Sequence, residues 1–282
     1  MEKLKTFYQY FLPQHGITRL VGKLAASKNN FIKNLFIGFF LKQFDINMSE
    51  ALIEDPDKFE TFNDFFTREL KPGARVQFED PQAITSPVDG RVSQSGTIIS
   101  GNIFQAKGHS FTLRELVGDE QDLVDPYQDG QFATLYLSPK DYHRIHMPVD
   151  GTLTAMTYIP GRLFSVNPAT ARTIPRLFAR NERVVAHFDT QFGPMAMVLV
   201  GATIVGSIAT VWSGVVTPPT GPEVKTWRYQ EGQHSFKRGD EMGRFLLGST
   251  VILLFGKDQT SWADDCTADA TVTMGQLLAE GQ

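Results

Sequence analysis

The chain has 282 residues and a net charge of −4, with 41% apolar and 21% charged residues, ordinary globular values that exclude disordered and collagen-like classes. Its single cysteine, Cys266, excludes an internal disulfide framework and fits a reducing compartment. Residues 1–45 carry seven Lys/Arg against Glu2 and Asp45, leaving 20 basic and 29 acidic residues for the remainder, so a basic arm precedes an acidic body.

The arm comes first in the chain. Lys3, Lys5, Arg19, Lys23, Lys28, Lys33 and Lys42 are interleaved with Phe7, Tyr8, Tyr10, Phe11 and Leu12, and then with Phe31, Leu35, Phe36, Ile37, Phe39, Phe40 and Leu41. A basic helix with an aromatic face suits a lipid interface better than a nucleic-acid groove. The expected partner is therefore an anionic membrane surface, with no nucleic acid. The uncharged run Asn34–Leu41 is far shorter than the roughly 20 residues a membrane span needs, and no secretory cleavage signal follows it.

Beyond the arm the predicted elements are short strands: Arg91–Ile99, Phe132–Leu137, Gly151–Tyr158, Arg183–Phe188 and Thr250–Phe255. The turn dipeptides Asp89-Gly90, Asp129-Gly130 and Asp150-Gly151 punctuate them. Thr190–Pro222 has no charged residue, and Met195–Val216 within it is long enough to span a bilayer. Ten of those 22 residues are Val, Ile or Thr and three glycines interrupt them, so the run reads as buried strands and turns. Pro218 opens a polar stretch to about Gly243 that reads as a surface loop. The expected fold is α+β: an N-terminal amphipathic helical region over residues 1–66, then a β-rich body of mostly antiparallel short strands over 67–282.

Among chemistry-bearing residues, no nucleotide-cradling glycine motif and no C-x-x-C is present. His143 and His146 form H-x-x-H without the glutamate of a zinc protease, so no metal site is expected. Ser138-Pro139-Lys140-Asp141 before them reads as the capped start of a helical turn, which would put the two histidines on one face, suited to acid–base work. Asp89 and Ser249, taken by themselves, read as turn residues entering strands.

Six segments taken together change that reading. Phe62–Phe66, Ser86–Gly90, Tyr142–Pro148, Phe164–Asn167, Leu177–Arg183 and Leu247–Thr250 resemble, in order, the pattern of bacterial phosphatidylserine decarboxylases. One departure is Arg75-Val76, where that family usually has Arg-Pro; it is expected to affect a loop and not the site. The resemblance implies a proenzyme that cuts itself between Gly248 and Ser249 into a large chain (1–248) and a small chain (249–282), which stay associated. Asp89, His146 and Ser249 would form the charge relay for this cleavage. Ser249 would become a covalent pyruvoyl group, with no external cofactor, and form a Schiff base with phosphatidylserine. The product would be phosphatidylethanolamine plus CO2, with His143 as candidate proton donor. The implied location is the cytoplasmic face of the cell membrane, peripherally bound. Two other readings stay open at this point: a membrane-associated serine hydrolase using the same three residues, and a non-enzymatic lipid-surface adaptor.

Overall fold

The computed structural model describes residues 6–203, 207–218, 221–246 and 250–282. Lys3 and Lys5 of the arm lie outside them. The first regular elements are α1 (Gln14–Ala25), α2 (Asn30–Gln43) and, after a loop, the short α3 (Phe62–Phe66). The Asn29 side chain accepts from the amides of Phe31 and Ile32, so α2 starts on a capped end. At α3 the Thr61 hydroxyl accepts from the Asp64 amide while the Asp64 carboxylate accepts from the Thr61 amide, a reciprocal box that lets a helix of one turn form. Ala25, Ile37, Phe59, Phe62, Phe65 and Phe66 close into an apolar cluster between these helices.

One basic residue of the arm behaves differently from the expectation. Lys33 is buried, and its ammonium donates to the carbonyls of Asp57 (2.9 Å) and Phe59 (3.0 Å). It ties α2 to the following loop and offers no charge to a surface. On the other side of α2, Phe31, Leu35 and Phe39 stand at i, i+4 and i+8 and are exposed.

The strands follow in chain order. They are β1 (Ala83–Thr85), β2 (Gly90–Thr97), β3 (Asn102–Ala106), β4 (His109–Thr112), β5 (Gln131–Tyr136), β6 (Arg144–His146), β7 (Gly151–Ile159), β8 (Arg183–Thr190) and β9 (Gly193–Val200). Then come β10 (Ile208–Thr210), β11 (Gly214–Thr217), β12 (Lys225–Arg228), β13 (Ser235–Phe236), β14 (Glu241–Phe245), β15 (Thr250–Phe255), β16 (Thr260–Trp262), β17 (Thr271–Val272) and β18 (Leu277–Gly281). The main sheet runs β12-β7-β8-β9-β15-β5-β2-β17, with β13 also on β7, and its ladders are antiparallel. The fold is α+β, and the five strands expected from the sequence all lie in this sheet.

Both faces of the sheet are buried. On β9, Met195, Met197 and Leu199 enter one core while Ala196, Val198 and Val200 enter the other; Val251, Leu253 and Phe255 alternate likewise with Ile252 and Leu254 on β15. A strand covered on both faces has no polar side, which accounts for the β9 part of the charge-free run Thr190–Pro222. That run holds β9, β10 and β11, and among the described residues no helix is long and apolar enough to cross a membrane. The polar stretch 218–243, expected as a loop, instead carries β12, β13 and the start of β14. β12 is an edge strand with one neighbour, so its exposed residues keep the composition of a loop.

The arm also touches the body. The Gln14 and Gln9 side-chain oxygens accept from the amides of Leu163 and Ser165, both at 2.9 Å, and the Tyr10 ring lies 5.0 Å from that of Phe164. The Phe164–Asn167 segment is thus a dock for the first helices.

Candidate active site

Position 249 is framed by its neighbours in the chain. Gly248 and Ser249, with Leu247, lie outside the described residues. On the near side, the amide of Phe245 donates to the carbonyl of His143 (3.1 Å) and that of Leu246 to Ser207 (3.0 Å). On the far side, Thr250 is fully buried and sits in register between Tyr136 and Val200, with Arg91 opposite Tyr136 on the next strand. The residues after Tyr136 carry His143 and His146, and the residues before Arg91 carry Asp89. Three separate stretches of chain therefore meet at one end of the central strands.

Gly90 makes this meeting possible. A Cβ there would come within 2.4 Å of the Tyr136 carbonyl oxygen, so only glycine lets β2 approach β5 where the chain turns in from Asp89.

The two histidines do not share a helical face. Asp141 closes a turn on Ser138, its amide donating to the Ser138 carbonyl (3.0 Å) and its carboxylate accepting from the Ser138 amide (2.6 Å). The chain then extends into β6, which pairs with β14 so that His146 stands opposite Glu241. In extended chain, residues three apart point to opposite sides. Sequence spacing alone fitted a capped helix; the pairing partner for β6 comes from nearly a hundred residues downstream.

His146 lies against Tyr142. Its Nδ1 is 2.8 Å from the Gly239 carbonyl oxygen and its Nε2 is 3.1 Å from the Tyr142 hydroxyl. A carbonyl can only accept, so Nδ1 carries the proton and Nε2 keeps its lone pair. Burial lowers the pKa of His146; the Gly239 carbonyl, Glu241 and Asp89 oppose that effect. The net effect is downward, which favours the neutral ring.

His143 is fully buried, its ring stacked on that of Phe66 at 4.1 Å and 20°. Neither ring nitrogen meets a partner in good hydrogen-bond geometry among the described residues, although the backbone of Ser138 and Pro139 lies near enough to favour the charged ring slightly. Burial, with the Arg68 cation adding to it, pushes its pKa down to about 3.

Asp89 is nearly buried, and its carboxylate does not bond to His146. It accepts from Arg75 Nε at 2.9 and 3.1 Å, from Arg75 Nη2, and from the Met274 amide at 2.9 Å. The link between Asp89 and His146 is instead a backbone one, His146 N–H donating to the Pro87 carbonyl at 2.9 Å. The Arg75-Val76 departure was expected to concern a loop; the Arg75 side chain reaches back over that loop to grip Asp89 and Glu50 together, with Nη1 2.9 Å from Glu50. Arg68, seven residues earlier, is also buried here and was not singled out by its sequence. The only sequence signal for either was a pair of arginines next to Phe62–Phe66; their roles depend on where the loop returns.

Among the described residues, several buried groups at this end of the sheet lack a hydrogen-bond partner, namely both nitrogens of His143, Nε and Nη1 of Arg68 and the Thr250 hydroxyl, while His187 Nε2 and the Thr260 hydroxyl are others elsewhere in the body. Such groups are rare in a finished interior. They suit a site that gains acceptors and donors when a further group is present.

Comparisons with known proteins bear on the family. A family model described as Phosphatidylserine decarboxylase matches residues 62–280, and a second, described as PSD, matches residues 4–45. The chain is 56% identical to a Shewanella amazonensis protein over 99% of both chains, and 57% identical to a Pseudomonas putida protein over 96% of both. A Vibrio vulnificus relative is 55% identical over the full length of both, and all three are named phosphatidylserine decarboxylase proenzyme. A match that spans the helical arm and the sheet together, at such identity, places this chain in the phosphatidylserine decarboxylase family.

Proposed function

We propose that this chain is a self-processing, pyruvoyl-dependent decarboxylase that converts phosphatidylserine to phosphatidylethanolamine and CO2. Family membership supports the reaction, and the tautomer of His146 carries the self-processing. With Nδ1–H committed to the Gly239 carbonyl, Nε2 is the free base that a serine nucleophile needs. Tyr142 holds that lone pair until a better donor arrives. Asp89, anchored by Arg75, supplies a fixed negative charge that favours the protonated ring as the proton moves.

In maturation His146 takes the proton of the Ser249 hydroxyl. The oxygen attacks the Gly248 carbonyl carbon, the C–N bond breaks, and the proton passes to the freed amine, giving an ester. Loss of the Cα proton of residue 249 then breaks the ester C–O bond and releases a large chain ending in the Gly248 carboxylate. The dehydroalanine left at 249 takes up water and loses ammonia, which leaves a pyruvoyl carbonyl. When formed, that carbonyl supplies the electron sink for CO2 loss. His143 and Phe66 exclude water from one wall of the site, and the neutral His143 ring can hold a proton at either nitrogen for return to the substrate carbon.

The exposed Phe31, Leu35 and Phe39 of α2, with Phe7, Tyr8, Phe11 and Leu20 ahead of them, support docking on a membrane surface, where the substrate resides. The test is the mass of the purified protein combined with CO2 release from phosphatidylserine. Two chains cut after residue 248 with CO2 release are expected, and Ser249→Ala should stay at full length and inactive. Cleavage at the same bond in Ser249→Ala would refute self-processing; an uncut yet active wild-type chain would refute the pyruvoyl.

A further inference from the structure

Among the described residues, Arg68 is a buried cation without a counter-ion. It is 5% exposed, and of its guanidinium donors only Nη2 is used, on the Lys140 carbonyl at 3.3 Å. Nε and Nη1 have no partner among the described residues. The carboxylates whose fields reach it are Asp89 and Glu50, and both are occupied by Arg75. No aromatic face under it is recorded among the described residues. Burial acts against its charge, and Arg75 adds a like charge. An arginine keeps its proton even so, and a desolvated, unpaired guanidinium is costly unless an anion joins it at some stage. Its field also reaches His143, whose Phe66 wall ends two residues before Arg68. The unpaired donors of Arg68 thus lie close to His143.

We propose that Arg68 is the anchor for the phosphodiester of the substrate head group. This rests on the reading of the chain as a phosphatidylserine decarboxylase. The head group offers two anions, the seryl carboxylate and the phosphodiester, and chemistry separates them. The carboxylate loses its charge as CO2 departs, so a guanidinium on it would stabilise the starting state and raise the barrier. The phosphodiester keeps its charge throughout. Holding it lowers the energy of substrate and transition state alike, and it fixes the amine and Cα a few bonds away in the centre.

The test uses matured wild-type protein, Arg68→Lys and Arg68→Gln. Each is assayed on phosphatidylserine in neutral detergent micelles, with glycerophosphoethanolamine or ethanolamine as competitor. Both variants should cleave as wild type does. In Arg68→Gln KM should rise on the order of 30-fold with kcat within about threefold, because uniform binding is lost. Glycerophosphoethanolamine should outcompete ethanolamine on wild type, and that advantage should vanish in Arg68→Gln and partly return in Arg68→Lys. Unchanged KM and competitor ratio, or a fall in kcat alone, would overturn the proposal while leaving the decarboxylase reading intact. A wild-type protein that releases no CO2 overturns that reading instead. Failure of Arg68→Lys to cleave would place the guanidinium in maturation. A loss of melting temperature confined to the cleaved form, at unchanged competitor ratio, would assign it to the new carboxylate of Gly248. Either result removes the phosphodiester role.

Discussion

Arg75 Nε lies 2.9 Å from one carboxylate oxygen of Asp89 and 3.1 Å from the other, so the aspartate is fixed by an arginine and not by His146, whose amide donates to the carbonyl of Pro87, two residues before the aspartate. With side-chain exposures of 14% and 10% the pair is largely desolvated, and each member depends on the other. Arg75→Gln should therefore lower stability by about 3 kcal/mol and slow self-cleavage, since Asp89 is left buried and unanchored. Asp89→Asn combined with Arg75→Gln should recover much of the stability and none of the cleavage. Urea unfolding of the two singles and the double measures this; additive losses in the double would show that the pair is not coupled.

The two histidines should separate in function. His146→Ala removes the nitrogen held ready by the Gly239 carbonyl and should leave the chain uncut, with no pyruvoyl to assay. His143→Gln should cleave, yet release CO2 per pyruvoyl group about 10²–10⁴ times more slowly, the usual weight of general acid–base help. Normal maturation of His146→Ala, or a wild-type rate for matured His143→Gln, would break this division.

Acid should destabilise the protein over a defined window. Burial pushes His143 down to about 3 and His187, whose Nδ1 meets the Tyr127 hydroxyl, down to about 4, from an ordinary value of 6.5. Below pH 6.5 the unfolded chain takes up protons on these rings while the folded chain does not, so the unfolded state binds more and stability falls as pH falls. The loss continues until the folded values are reached. At pH 5 each ring accounts for about 2 kcal/mol relative to pH 8. The difference in unfolding free energy between pH 8 and pH 5 should shrink by that amount in His143→Gln; an unchanged difference would mean the ring is not held neutral.

Membrane attachment should depend on apolar side chains more than on charge. Phe31, Leu35 and Phe39 are 77%, 59% and 60% exposed on one line of α2, while Lys33 is buried and Lys28 is paired with Glu60. Replacing the three apolar residues with Ser should weaken binding to anionic vesicles on the order of 100-fold and leave the melting temperature unchanged. Removal of residues 1–45 is a poorer test, because Ile37 packs with Phe62 and Phe66, the wall behind His143. Vesicle binding unaltered by the triple substitution would exclude this face as the contact.

Much of the molecule follows from local sequence. The β-branched, glycine-broken run of Met195–Val216 read as strands and turns although it is long enough to span a bilayer, and the strand at Thr250 announced itself by its apolar stretch, because a strand buried on both faces needs no polar side. Asp89, His143, His146 and Ser249 were singled out through six segments that, taken in order, resemble one family. What the sequence could not decide was which groups meet. The H-x-x-H spacing fitted one helical face, but β14, from residues 241–245, captured the segment as a strand and turned the two rings apart. Arg75 looked like a loop residue until the loop returned to Asp89, and Arg68 looked like any arginine beside a helix until packing buried it without a partner. Periodicity and turn chemistry are local and can be read along the chain. Ion pairing, desolvation and the choice of a hydrogen-bond partner depend on distances set by residues far apart in sequence, and only the folded structure fixes those.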